Sequence, residues 1–178
     1  MVEVTIDSIR VSLMSQHRVA ILKDVDGERF LPIWIGPCEA DAITVRLQEV
    51  EVARPITHDL LFNLIGELGA KVEHVLIREL RNDVFLAHIV LNLRGTRMEV
   101  DSRPSDALAL AVRADTKIYV DDVVMQTAGI TPESDIEAEL GSEEQEQRRS
   151  AEEATPSVFT DFVDTLDFGD EDDGGKKS

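Results

Sequence analysis

The stretch Asp101-Ser-Arg-Pro-Ser-Asp-Ala-Leu-Ala-Leu-Ala-Val-Arg113 divides into residues rich in hydrogen-bonding groups followed by a run of small apolar ones. Pro104 suits the first turn of a helix, where its missing N–H costs nothing. Ala107, Leu108, Ala111 and Val112 then repeat at i, i+1, i+4 and i+5, which is one helical stripe. The alanines allow such a helix to lie close against a sheet. Its start is crowded with Asp101, Ser102, Arg103, Ser105 and Asp106. Satisfying free N–H groups and the helix dipole takes one or two such residues. Four of them with an arginine fit a functional cluster as well as they fit capping.

Outward from that stretch the chain reads as strands. Arg97–Asp101 is a short strand, with Met98 and Val100 pointing inward, that delivers the chain to the cluster. Val72–Leu80 and Val84–Leu93 form a hairpin about Arg81-Asn82-Asp83, and Arg94-Gly95 is the next turn. Beyond the helix, Lys117–Val120 is a strand and Asp121–Ala128 a helical turn or two. At the other end, Val2, Val4 and Ile6 alternate, and Ile9, Val11 and Leu13 alternate in the opposite phase, so a β-bulge is expected near Asp7-Ser8. His17–Asp24 is a second strand, Asp26-Gly27 a turn, and Phe30–Ile35 an apolar strand whose Pro32 argues for an edge or a bulge. Gly36-Pro37 opens a helix with Glu39 and Asp41 in its first turn and Ala40, Ile43, Leu47 and Val50 roughly on one side. Arg54-Pro55 breaks the chain, Thr57 is the expected N-cap of the next helix, Leu61, Leu64, Ile65 and Leu68 form its apolar stripe, and Gly69 stops it. The order β-β-β-α-α-β-β-β-α-β predicts an α+β domain over residues 1–131, with a mainly antiparallel or mixed sheet and about three helices.

Charge divides the chain. Residues 1–131 hold 14 Lys+Arg against 20 Asp+Glu, a net of −6, and residues 132–178 hold 4 against 16, a net of −12, together the formal −18 of the chain. The second part reads as an acidic disordered linker at 132–155, a short amphipathic helix at 156–168 with Val158, Phe159, Phe162, Val163 and Leu166 at helical spacing, and a disordered end at 169–178. That helix is expected to dock on the domain, a second subunit or a protein partner. Neither part has the positive charge with which nucleic-acid binders usually meet phosphates. No apolar run approaches the roughly 20 residues that span a bilayer, and the first residues show no signal-peptide pattern. The single cysteine, Cys38, excludes an intrachain disulfide and a zinc finger and fits a reducing cytosol, so a cytoplasmic location is expected.

The chain has no phosphate-binding glycine loop, nucleophile elbow or HExxH motif. Three helix starts nevertheless carry polar sets: Glu39; Thr57-His58-Asp59; and Arg103-Ser105-Asp106, with Asp101 just upstream. Capping explains each alone. Brought to one end of the sheet, Glu39, His58, Asp59, Asp101 and Asp106 would be rich in oxygen ligands, which suits Mg²⁺ or Mn²⁺ better than zinc. Glu39, Asp101 and Asp106 are then the expected metal ligands. His58 would be general acid or base, and Arg54 and Arg103 would clamp phosphate. Ser105 is a nucleophile only if a base reaches it. Such a site would hydrolyse a phosphodiester. The competing expectation is a non-catalytic module whose polar cluster supports oligomerisation or binds an anion.

Three stretches in order and spacing carry a resemblance: Leu31-Pro-Ile-Trp-Ile-Gly36 followed by Glu39-Ala40; Arg54-Pro-Ile-Thr-His-Asp-Leu-Leu61; and Asp101-Ser-Arg-Pro-Ser-Asp-Ala-Leu-Ala109. Over residues 1–131 the chain resembles the bifunctional nuclease domain family of bacteria and plants. The tail around Phe159, Phe162 and Val163 is similar to the acidic C-terminal segment of bacterial members. The resemblance implies an α+β domain, a homodimer or larger homo-oligomer, and nuclease activity on DNA and RNA with little sequence preference. Its matching polar positions are Glu39, Arg54, His58, Asp59, Asp101, Arg103, Ser105 and Asp106.

Overall fold

The computed structural model describes residues 1–11 and 17–131. The expected linker at 132–155, helix at 156–168 and end at 169–178 lie outside the described residues, as does Leu13. The elements are β1 (Val2–Val11), β2 (Arg18–Asp24), β3 (Phe30–Ile35), α1 (Pro37–Leu47), α2 (Thr57–Glu67), β4 (Ala70–Arg81), β5 (Val84–Leu93), β6 (Thr96–Ser102), α3 (Pro104–Ala114), β7 (Lys117–Val120) and α4 (Asp122–Ala128). They form the expected α+β domain, with a fourth helix, α4, where a turn or two was expected. No described helix is long and apolar enough to cross a membrane.

The seven strands lie in the order β3-β2-β1-β7-β4-β5-β6. All neighbours are antiparallel except β4 and β7, which pair in parallel from His74↔Lys117 to Ile77↔Val120. Local chemistry sets the registers. The β1–β2 pairing shifts between Ile6 and Ser8, the bulge that the change of alternation demanded. Pro32 sits in β3, an edge strand, where its missing N–H leaves no ladder bond broken on the open side. The β4–β5 turn places both Asn82 and Asp83 at positive φ, and the β5–β6 turn does the same with Arg94 and Gly95. Such two-residue turns match the twist of the strands they join.

Helix α3 is the axle of the core. Ala107 to Ala111 are all within 1 % of fully buried, packed with Val75 and Ile77 of β4, Ala87 and Ile89 of β5, and Ala40 and Ile43 of α1. Its small residues let other elements approach on several sides, so burial extends well beyond the single stripe read from the sequence. Helix α2 departs from expectation in the other direction. Leu60, Leu61, Phe62 and Leu64 are all exposed, as is Leu68 just past its end, and Leu60 keeps 63 % of its surface. Only Ile65 of the expected stripe joins the core. The helix is anchored instead through its first turn, where His58 is buried. Trp34 is half-buried, with the His17 ring edge-on at 5.8 Å.

Candidate functional site

The starts of α1, α2 and α3 meet. Arg103 stands immediately before α3 in extended backbone, with Pro104 opening the helix. From there its guanidinium donates from Nε to Asp106 Oδ2 at 2.7 Å and from Nη2 to Asp106 Oδ1 at 3.1 Å. The same Nη2 donates to Glu39 Oε1 of α1 at 2.8 Å. His58 Nε2, on α2, lies 3.1 Å from Asp106 Oδ1. Glu39 folds back over Gly36, and a Cβ at position 36 would make its carboxylate shift from this path.

Asp106 is the hub of this group. Burial raises its pKa, but the bonds from Arg103 and His58 outweigh burial and hold the carboxyl below its ordinary range. Asp106 is therefore a carboxylate at neutral pH, and His58 Nε2 must carry the proton between them. In neutral His58 the basic nitrogen is then Nδ1. Asp106 and Glu39 likewise hold Arg103 firmly in its charged form. The group contains two carboxylates, one guanidinium and one imidazole, so protonating His58 brings it to charge balance.

Asp59 is placed differently. Its Oδ2 accepts the Ile56 N–H at 2.9 Å, and its Oδ1 accepts Arg113 Nε at 2.6 Å. Burial works against ionisation here too, but the Ile56 N–H and Arg113 hold the carboxyl below its usual range. The N-cap of α2 is Ile56, and Thr57 is the first helical residue. The helix start thus relies on Asp59, three residues past the cap, rather than on a threonine hydroxyl. Arg113 itself donates from Nη1 to Ala109 O at 2.7 Å and from Nη2 to Ala42 O at 3.1 Å, with only 4 % of its side chain exposed. It lies outside the expected site residues. Its signal in the sequence is an arginine four residues after Ala109, on a side of α3 that otherwise carries core residues.

The remaining expected residues do not join the cluster. Asp101 is 84 % exposed on edge strand β6, and its nearest ionic neighbour is His88 Nε2 at 3.9 Å. Ser105 is buried and makes no side-chain hydrogen bond among the described residues, so no base is placed to activate it. Arg54 is exposed between α1 and α2 with no ion pair among the described residues. Glu39, Asp101 and Asp106 do not form a metal-holding set. Among the described residues no three His, Cys, Asp or Glu side chains gather in that way. The space between Glu39 and Asp106 belongs to Arg103, so a divalent ion does not fit the residues as they stand. Two of the four carboxylates thus converge, one secures its own helix, and one lies apart.

The chain belongs to the bifunctional nuclease domain family, whose defining pattern matches residues 20–133. An uncharacterised protein of Mycobacterium tuberculosis is 39 % identical over 168 residues, covering 93 % of this chain and 97 % of that one. Bifunctional nuclease 2 of Oryza sativa subsp. japonica is 29 % identical over 114 residues, 62 % of this chain and 35 % of that protein. Bifunctional nuclease 1 of Arabidopsis thaliana is 26 % identical over 118 residues, 64 % of this chain and 36 % of that protein. The likeness to the mycobacterial protein therefore runs nearly end to end, whereas the plant nucleases share one domain with this chain.

Proposed function

We propose that this chain is a nuclease that hydrolyses phosphodiester bonds of DNA and RNA with little sequence preference, at the cluster of Glu39, His58, Arg103 and Asp106. The observation that carries the reading is the His58–Asp106 pair at 3.1 Å with Arg103 beside it. Asp106 fixes the imidazole with Nε2 protonated, and Nδ1 takes a proton from the water whose oxygen attacks phosphorus; as the P–O bond to the leaving oxygen breaks, His58 returns that proton to the leaving oxygen. This is general acid–base work of the kind that contributes about 10²–10⁴-fold. Arg103, drawn from its carboxylates toward a phosphate, meets charge that develops on the phosphoryl oxygens. Arg54 supplies a second cation for the nucleic-acid backbone. Asp59 serves this reading by holding the α2 start, and Asp101 and Ser105 have no step in it. Mg²⁺ or Mn²⁺ would enter only by displacing Arg103 from Glu39 or Asp106, a move open to a side chain that is 68 % exposed.

The acidic balance of the chain opposes a polyanionic substrate at long range. Within a Debye length of about 8 Å at physiological salt, local cations decide. The exposed apolar side of α2 favours a homodimer or larger homo-oligomer. It also gives a specific footing to the second reading, a non-catalytic interaction module whose polar cluster steadies the assembly or binds an anion. The exposed thiol of Cys38 agrees with a cytoplasmic location.

The test is cleavage of labelled single-stranded DNA and RNA by the purified chain with Mg²⁺, with Mn²⁺ and with EDTA, beside His58→Gln and Arg103→Ala. A loss of at least 10²-fold in folded His58→Gln supports the nuclease. Equal cleavage by wild type and both variants refutes this site, and no cleavage under any condition leaves the interaction module as the reading.

A further inference from the structure

We infer that Arg113 and Asp59 are a positioning pair that sets His58 against Asp106. The inference rests on the proposed role of His58 and Asp106, and its geometry stands apart from any activity. Arg113 leaves α3 near its C-terminal end and reaches three places at once: its own helix at Ala109 O, α1 at Ala42 O, and the first turn of α2 at Asp59 Oδ1. Asp59 in turn holds the Ile56 N–H, so the entry of α2 is tied at both oxygens of one carboxylate. His58 is the residue immediately before Asp59. Its ring is 11 % exposed and meets Asp106, about two turns of α3 before Arg113. Helix α2 has little else to fix it, since its leucines face outward and Ile65 alone of its expected stripe enters the core. A shift of an ångström in that first turn opens the His58–Asp106 bond, because hydrogen bonds weaken steeply with misalignment.

A buried arginine is costly unless every partner is in place. Here each partner belongs to a helix start or helix backbone that frames the site. A lysine cannot substitute, since a single ammonium lacks the planar fork that meets Asp59, Ala42 and Ala109 together. The consequence is a chain of contacts from Arg113 through Asp59 to the orientation of His58, with Arg113 making no hydrogen bond or ion pair to either His58 or Asp106.

The full-length chain tests this by long-range ¹H–¹⁵N spectra of its four histidines, with His58 assigned through His58→Gln. Wild type is expected to show His58 as a single Nε2–H tautomer. Arg113→Lys and Asp59→Asn are expected to lose that signature for an average of both tautomers, while Ile43→Val, a buried substitution in the same core, keeps it. A wild-type His58 signal in folded Arg113→Lys and Asp59→Asn overturns the inference, and so does an equal loss in Ile43→Val. Cleavage is read on the same samples. Loss of the tautomer signature with cleavage unchanged supports the positioning pair and refutes the nuclease role of His58, so the two readings fail separately.

Discussion

Replacing Asp106 by Asn keeps the shape of the hub and removes its charge. The bonds at stake are two from Arg103, at 2.7 and 3.1 Å, and one from His58, at 3.1 Å. Arg103 is largely exposed, so solvent screens its share to about 0.2–1 kcal/mol. The His58 bond lies deeper. Charge assistance is worth about 1.5–3 kcal/mol for a bond to an ionised group, and an amide oxygen restores roughly half of that. The expected loss is therefore about 1–2 kcal/mol, or roughly 3–8 °C in melting temperature for a domain of this size. Its pH dependence has a fixed sign. The Asp106 pKa is lowered by folding, so its stabilisation is present above the unfolded value of about 3.9 and disappears as pH falls through the lower folded value. Differential scanning calorimetry of wild type and Asp106→Asn at pH 7, 5 and 3 is the assay. The wild-type advantage should be held at pH 7 and 5 and shrink toward pH 3. No advantage at pH 7, or one undiminished at pH 3, would refute the reasoning.

Leu108→Ala removes a fully buried side chain from α3 and should cost about 2–5 kcal/mol by urea unfolding, whereas Leu64→Ala on the outer side of α2 should cost under about 1 kcal/mol. Leu64→Glu with Leu68→Glu should leave the domain folded and lower the mass measured by sedimentation equilibrium; an unchanged mass above that of one chain would place the association on another face.

The strands were legible because their signals are local. The phase change between Ile6 and Ile9 can arise only from an extra residue, and Pro32 tolerates only an edge or a bulge. The same logic failed for α2. Periodicity of Leu61, Leu64 and Leu68 shows that one side is apolar, but it says nothing about what that side meets. The site was half legible. Glu39, His58, Arg103 and Asp106 were named because each opens or precedes a helix, and the sheet does bring those starts together. Asp101 was misplaced in that group because proximity in sequence to Asp106 hides the reversal between an edge strand and a helix. Arg113 is hard to read from sequence because an arginine in the last turn of a helix complements the dipole whatever else it does, and its partner stands 54 residues upstream.

Strand β7 has a consequence for how the chain is made. Among the described residues it is the only hydrogen-bonded link between the β1–β3 meander and the β4–β6 meander, and it follows both in sequence. A ribosome adding roughly 5–20 residues per second extends the chain by about a hundred residues between finishing β1 and completing β7. Through that interval β1 presents an open edge, and β4 presents one from its own completion at Arg81 until β7 follows; no earlier segment can close either. Unpaired edges of this kind recruit other strands. The nascent chain therefore passes through an interval of exposure set by the order of its strands, and a chain stopped before Lys117 would hold both meanders and lack the strand that joins them.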